Sequence, residues 1–380
     1  MNRRDFLKGS AAAAAFGAME CLGIGKLLGD AGKPVKEEKR MQSSERQKNR
    51  QDALAEARKQ VENGLILGGV FATLEQEPAA FGLQDINPKK AMTTDSRFDI
   101  ASVGKVFTAS CCARLIAAGK LDPDAPFTKY LPNHVLGKNC EITVRDLATH
   151  TGGFPNARHY GEKNPDDFYR DLMAQKPVRP RGAAFEYSCY GFILLGLILN
   201  KITGKDLDTL AKEILWGPLG MTRTTWNAPG PGPHEVRHWF PERPAGEHND
   251  AMCYRAKIPL GSGSVFSTSG DMMKFVRDMV ERKHFPAAYY DLLTTCCWEG
   301  PTLPSNPAKY SRRSFGWDMC DLRRPKTFSK QAIFHSGWTG QTLAIDPAQG
   351  FGAMILTSRK GDWEQANQAR VKLIDILYRK

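Results

Sequence analysis

The 380-residue sequence predicts an α/β (α+β) protein, with one sheet completed by both ends of the chain and a mostly helical subdomain inserted between them. Three observations lead there. Apolar segments rich in Gly and β-branched residues stand early, at Leu65–Leu74, with a partner around Ala79–Leu83 and a Glu-Gln-Glu-Pro turn between them. Sequence from Ser102 to about Pro259 is helical or loop-rich. Short strand-like segments then return at Gly263–Ser267, near Phe315–Met319, and at Ala332–Phe334, Thr342–Ile345 and Ala353–Thr357.

Composition excludes several classes. With 41% hydrophobic and 25% charged residues the chain is neither disordered nor fibrous, and no apolar run reaches the roughly 18 residues needed to span a bilayer, so no transmembrane span is expected. Nine cysteines, an odd number that includes the adjacent pairs Cys111-Cys112 and Cys296-Cys297 and contains no C-x-x-C, predict neither a disulfide framework nor a zinc ribbon. The formal charge of +12 comes from Lys and Arg spread along the chain without a nucleic-acid motif. It reads as a solvated basic surface suited to an anionic wall polymer or membrane, with no nucleic-acid partner.

Residues 1–31 read as an export segment. Asn2-Arg3-Arg4-Asp5-Phe6-Leu7-Lys8 resembles the twin-arginine pattern, and a weakly apolar, Ala-rich stretch follows it, broken by Glu20, with cleavage expected near Ala31. Glu20 before Cys21 makes a poor lipobox. Residues 32–60 read as a charged tether leading into a first helix that stops at Asn63-Gly64. Residues 61–380 form the main domain, with the helical subdomain at roughly 120–260. From Ser102 to Ala118, Phe107, Cys111 and Leu115 share a helix face and Gly119 is the stop. A last helix is expected over Trp363–Tyr378.

Chemistry concentrates at Ser102-Val103-Gly104-Lys105. Residues three apart on a helix share a face, so the Lys105 ammonium can reach the Ser102 hydroxyl, and the helix N-terminus favours the serine's alkoxide. The surrounding series is long. Thr93 to Ala101 precedes the motif, Gly119-Lys120-Leu121-Asp122-Pro123 follows the helix, and then come Lys129-Tyr130-Leu131-Pro132 and Ile142-Thr143-Val144-Arg145-Asp146-Leu147-Ala148-Thr149-His150-Thr151-Gly152-Gly153. This series resembles the serine β-lactamase and penicillin-binding-protein-like superfamily, in the branch of class C β-lactamases, D-alanyl-D-alanine carboxypeptidases and lactamase-like esterases. The resemblance runs from about Leu65 to the C-terminus. It implies a β-lactamase-like fold, an antiparallel sheet flanked by helices, with the site in a cleft beside the helical subdomain.

The resemblance also implies two further motifs. Tyr187-Ser188-Cys189, followed by Tyr190-Gly191-Phe192, stands for Y-x-N, which makes Tyr187 a proton carrier beside Lys105. Cys189 replaces the usual Asn, and a thiol is a poor substitute for an amide in substrate binding. His335-Ser336-Gly337 stands for Lys-Thr-Gly, with Ser336 and Gly337 beside the substrate and the backbone N–H groups of Ser102 and Trp338 as the oxyanion hole. His335 weakens any clamp on a substrate carboxylate. Thr149-His150-Thr151 and Gly261–Thr268 read as structural segments.

Two rival motifs are weaker. Gly261-x-Gly263 lacks the third glycine and the strand–helix order of a dinucleotide loop. His234-Glu235-Val236-Arg237-His238 is a literal H-E-x-x-H, the zinc metalloprotease pattern, but Pro231-Gly232-Pro233 before it and Pro241 after it leave little room for the helix that the pattern requires. The expected protein is thus a periplasmic or otherwise exported serine hydrolase without metal or cofactor. It would form an acyl-enzyme on Ser102 with a small-molecule or peptidoglycan-derived substrate, an ester, D-peptide or β-lactam. His335 and Cys189 favour ester or peptide over β-lactam. A catalytically weak wall-binding or sensor protein is the alternative, and a zinc protease through His234, Glu235 and His238 the lesser one.

Overall fold

The computed structural model describes residues 43–156, 165–238, 243–256, 258–320, 325 and 327–379. The export segment, its expected cleavage point and the first part of the tether lie outside them. Helix α1 (Ser43–Glu62) leads into β1 (Ile66–Thr73), β2 (Gln76–Ile86) and β3 (Lys89–Ala91). The stretch read as tether is therefore helix from Ser43 onward. Its charges face water, while Ala53 and Ala57 are fully buried. Gln60 bonds to the Ala369 carbonyl and Asn49 to the Arg379 carbonyl, so α1 is anchored to the end of the chain.

Short β4 (Arg97–Asp99) precedes the turn that carries Ser102. Between it and β5 (Phe266–Thr268), which pairs with it, the named elements are helical: α2 (Gly104–Ala117), α3 (Val144–Ala148), α4 (Pro165–Ala174), α5 (Cys189–Thr203), α6 (Leu207–Ala211) and α7 (Ala251–Ala256). Helix α5 is apolar almost all round and is buried over most of its length, from Tyr190 to Leu199, with Gly204 closing it at φ +70°. Helix α3 starts on a capping box in which the Thr143 hydroxyl and the Asp146 carboxylate satisfy each other's backbone N–H groups. Helices α8 (Ser269–Glu281) and α9 (Ala287–Thr294) follow β5. Then come β6 (Trp298–Pro301), β7 (Tyr310–Ser314), β8 (Trp317–Asp318), β9 (Ile333–Gly337), β10 (Gln341–Asp346), β11 (Phe351–Arg359) and α10 (Trp363–Leu377).

Among the described residues the main sheet runs β3-β2-β1-β11-β10-β9-β8-β7-β6, antiparallel throughout. First and last strands thus meet at β1–β11, in the sheet interior. Alternation along these strands feeds two cores. Val70, Leu343, Ile345, Met354 and Leu356 join the large core with α2, α5 and α8, while Phe71, Phe334, Ala344 and Ile355 join a smaller one under α1 and α10. Strands β6 and β7 go beyond the sequence expectation, because their alternating, polar segments carry no apolar run. No helix of the described residues is long and apolar enough to cross a membrane.

Candidate active site

Ser102 sits where β4 turns into α2, in a single 3₁₀ turn, Ala101–Val103. Ala101 holds φ at +46°, a strained value for a residue with a Cβ. Asp99 supports it: one carboxylate oxygen accepts from the Ala101 N–H at 2.9 Å, the other from the Asn249 N–H and the Ser264 hydroxyl, both at 2.8 Å. Gly263 packs against the same turn. A Cβ there would stand 2.4 Å from the Ala101 carbonyl oxygen, so the approach requires glycine.

Lys105, at the start of α2 and one turn on from Ser102, is completely buried. Its ammonium donates to Ser102 Oγ at 3.2 Å, to the Ser262 carbonyl at 2.5 Å and towards Cys189 Sγ at 3.4 Å. The Tyr187 hydroxyl donates to Ser102 Oγ at 2.8 Å. Two groups, one three residues and the other 85 residues from Ser102 in sequence, thus meet at its oxygen. Burial by itself pushes the Lys105 ammonium towards losing its proton, but negative charge at Cys189 and Tyr187 outweighs burial and holds its pKa above the ordinary lysine value. Burial likewise raises the Tyr187 phenol, and the neighbouring ammonium offsets this only in part.

His150 contributes more than its sequence signal showed. Its ring lies 4.7 Å from that of Tyr187 and 5.0 Å from that of Phe192, and its Nδ1 accepts from the Ser188 N–H at 3.1 Å. It packs, and what it packs against is the tyrosine of the site. Ser262, read as part of a structural segment, supplies through its carbonyl the shortest of the Lys105 bonds.

A cavity of about 820 Å³ opens over Ser102, and Tyr187, His335, Ser336, Trp338 and Arg313 line it. Gly337, on β9, is not in that wall; a Cβ on it would stand 2.6 Å from the Ile100 carbonyl, so glycine lets β9 close on the serine turn. Cys189 is not in the wall either and meets Lys105 instead. His335 is buried, and withdrawal from water together with the cations of Lys105 and Arg313 holds its pKa well below the usual histidine value. Its Nδ1 meets the Ser336 carbonyl at 3.1 Å. Arg313, which the sequence did not single out, is almost fully buried, pairs with Asp318 at 2.5 Å and lies 4.7 Å over the Phe185 ring.

The H-E-x-x-H segment is not helical, which corrects the zinc alternative. Glu235 forms an isolated bridge with Arg97 and its carboxylate takes two nitrogens of the Arg97 guanidinium. His238 Nε2 accepts the Asp99 N–H at 3.2 Å. The two histidines therefore do not share a helix face, and the His, Cys, Asp and Glu side chains of the described residues form no metal-holding cluster.

Comparison with known proteins identifies the family and the fold. A twin-arginine translocation signal matches residues 1–19, so the chain carries the export signal read from Arg3-Arg4. N-acetylmuramyl-L-alanine amidase of Bacillus subtilis is 26% identical over 311 residues, 71% of this chain and 69% of that protein. A putative D-alanyl-D-alanine carboxypeptidase of Escherichia coli (strain K12) is 25% identical over 314 residues, 72% of this chain and 71% of the relative. Among solved structures, EstCE1, a hydrolase with promiscuous acyltransferase activity, superposes with a TM-score of 0.73 at 18% identity, covering 89% of this chain and all of that one. The β-lactamase/D-alanine carboxypeptidase from Pseudomonas syringae gives 0.69 at 19% identity, covering 87% and 98%. The Beta-lactamase family pattern matches residues 27–375, nearly the whole length that carries the serine turn, the buried lysine and the β9 motif, and the chain belongs to the Beta-lactamase family.

Proposed function

We propose that the protein is an exported serine hydrolase that forms an acyl-enzyme on Ser102 and hydrolyses an ester or a D-amino-acid peptide bond. The observation that carries this reading is the double approach to Ser102 Oγ, from the Tyr187 hydroxyl at 2.8 Å and the Lys105 ammonium at 3.2 Å, at the wall of an open cavity. Both groups donate towards that oxygen, an arrangement that stabilises an alkoxide. Lys105 keeps its proton, so the base is the phenolate form of Tyr187, present once its hydroxyl has lost its proton to solvent. It takes the Ser102 proton as Oγ bonds to the substrate carbonyl carbon. The carbonyl electron pair moves onto oxygen, which the N–H groups of Ser102 and Trp338 receive. Tyr187 returns the proton to the leaving group as its bond to carbon breaks. Water then repeats the sequence, losing a proton to Tyr187 and releasing the acid and free Ser102.

The neutral His335 puts no permanent charge where a substrate carboxylate would sit, which favours uncharged esters over β-lactams. The relatives named as D-alanyl-D-alanine carboxypeptidases keep wall peptides among the candidate substrates. An intact Ser102, Lys105 and Tyr187 constellation speaks against a purely wall-binding or sensor protein. Intact-mass measurement after incubation with a fluorophosphonate, a penicillin and a short-chain aryl ester tests the reading. A single adduct is expected, lost together with turnover in Ser102→Ala; an adduct that survives in that variant overturns it.

A further inference from the structure

The cavity wall next to the β9 motif carries an aromatic pair that the reaction above does not use. Trp338 keeps 43% of its surface exposed, unusual for so large an apolar side chain. Its indole stacks on that of Trp363, at the start of α10, with centroids 5.6 Å and planes 30° apart. Guanidinium groups brace both rings, Arg359 at 4.2 Å from the Trp338 centroid and Arg370 at 5.7 Å from that of Trp363. Arg359 is itself fixed by bonds of 2.8 Å to the Trp338 and Gly361 carbonyls, and Arg370 by one of 3.0 Å to Thr342 Oγ1. The platform is therefore rigid before anything binds, so little rotamer freedom remains to be lost.

Glu364, Asn306 and Ser305 line the same cavity. Arg313 is the only Lys or Arg among its described lining residues, and Asp318 already holds it, as Arg179 holds Glu186. Flat aromatic surface beside a carboxylate, an amide and hydroxyls matches a pyranose ring. The C–H face of such a ring is apolar, while its hydroxyl and acetamido groups need acceptors and donors. A plain hydrocarbon would leave the polar groups unmet.

We propose that Trp338 and Trp363, with Glu364, form a hexosamine-binding subsite beside Ser102. Trp338 follows Gly337, which packs on the Ile100 carbonyl two residues before the serine, so the bound ring stands close to the reacting carbonyl. The substrate class is then an O-acylated hexosamine. This rests on Ser102 as nucleophile. Attack breaks the bond from the acyl carbon to the sugar oxygen, that oxygen takes the proton, and water releases the acid.

The test compares 6-O-acetyl-N-acetylglucosamine, ethyl acetate and phenyl acetate as substrates of the wild type and Trp363→Ala. The wild type is expected to favour the sugar ester over ethyl acetate in kcat/KM. The variant is expected to lose about tenfold on the sugar ester, mainly through KM, and to stay within about twofold on the other two. An equal loss on all three, or a loss confined to phenyl acetate, overturns the sugar assignment. Trp363→Phe, with its melting temperature measured alongside, replaces Trp363→Ala if the alanine variant does not fold, and should retain part of the preference. A second measurement is independent of turnover: N-acetylglucosamine should quench tryptophan fluorescence saturably in Ser102→Ala and not in Ser102→Ala/Trp363→Ala. Absence of saturable quenching in the former overturns the subsite even if Ser102 acylates, and saturable quenching supports it even if no ester is hydrolysed.

Discussion

Lys105 has three ammonium protons and three acceptors, Ser102 Oγ, the Ser262 carbonyl and Cys189 Sγ, which fixes both its position and its charge. With Lys105 held as ammonium and the Tyr187 phenol raised by burial, the base form of Tyr187 grows as pH rises. The kcat/KM for an uncharged ester is therefore expected to climb through the alkaline range without a plateau near pH 7. Negative charge at Cys189 raises both groups, so Cys189→Asn should move that rise to lower pH. A pH–rate profile of the two proteins checks both statements, and an unmoved limb in the variant would remove Cys189 from the account. Ser102, Lys105 and Tyr187 were legible because their side chains react and stand in short, recognisable strings. Ser262 acts through a backbone carbonyl and His150 through a ring face, and neither function leaves a residue-type signature. Arg313 arrives on β7, a strand too polar to be read in advance.

At the level of elements, close backbone approach sets the site. Gly337→Ala would place a Cβ 2.6 Å from the Ile100 carbonyl and 2.7 Å from Gln341 Oε1, so β9 or the serine turn must move. A loss of about 1–3 kcal/mol in stability is expected, with kcat falling more than KM rises, because overpacking shifts the proposed oxyanion donors rather than the cavity. Urea unfolding and steady-state kinetics measure the two effects. The 232–238 segment makes the opposite case, a strap tied down by Arg97–Glu235. Glu235→Ala should lower the melting temperature, since it leaves the Arg97 guanidinium without the carboxylate that binds it, and chelators should leave activity intact. Activity lost to chelation and restored by zinc would contradict the strap. Secondary structure was legible wherever apolar periodicity was strong, in β1, β10, β11, α2 and α10. It was not in Trp298–Pro301, where exposure alternates along an edge strand with hardly any apolar residues, nor at the start of α1, where a charged sequence read as tether is already helix.

Across the whole molecule, buried neutral histidines couple stability to pH. Burial holds His134 and His238 at about 4, and His150 and His335 are also well below the usual value. Below pH 6.5 the unfolded chain binds protons that the folded one refuses, so stability is full above about pH 6.5 and falls as pH drops towards 4. His238 alone accounts for on the order of 3 kcal/mol of that loss, from a value of about 4 against the ordinary 6.5. Melting temperatures from pH 7 to 4 should decline steadily, and His238→Asn should flatten the decline. The architecture around Ser102 was legible as a sheet with an inserted helical region, though not the depth at which the two ends of the chain join. That junction governs how the protein is made. Strand β1 pairs with β2 at once but cannot pair with β11 until that strand has left the ribosome, nearly 300 positions later. Throughout synthesis one edge of β1 stays open and apolar, the kind of edge on which nascent chains aggregate. The strand and helix around Ser102 emerge well before the sheet can close, so a truncated chain carries Ser102 and Lys105 and still has no β9 wall beside them.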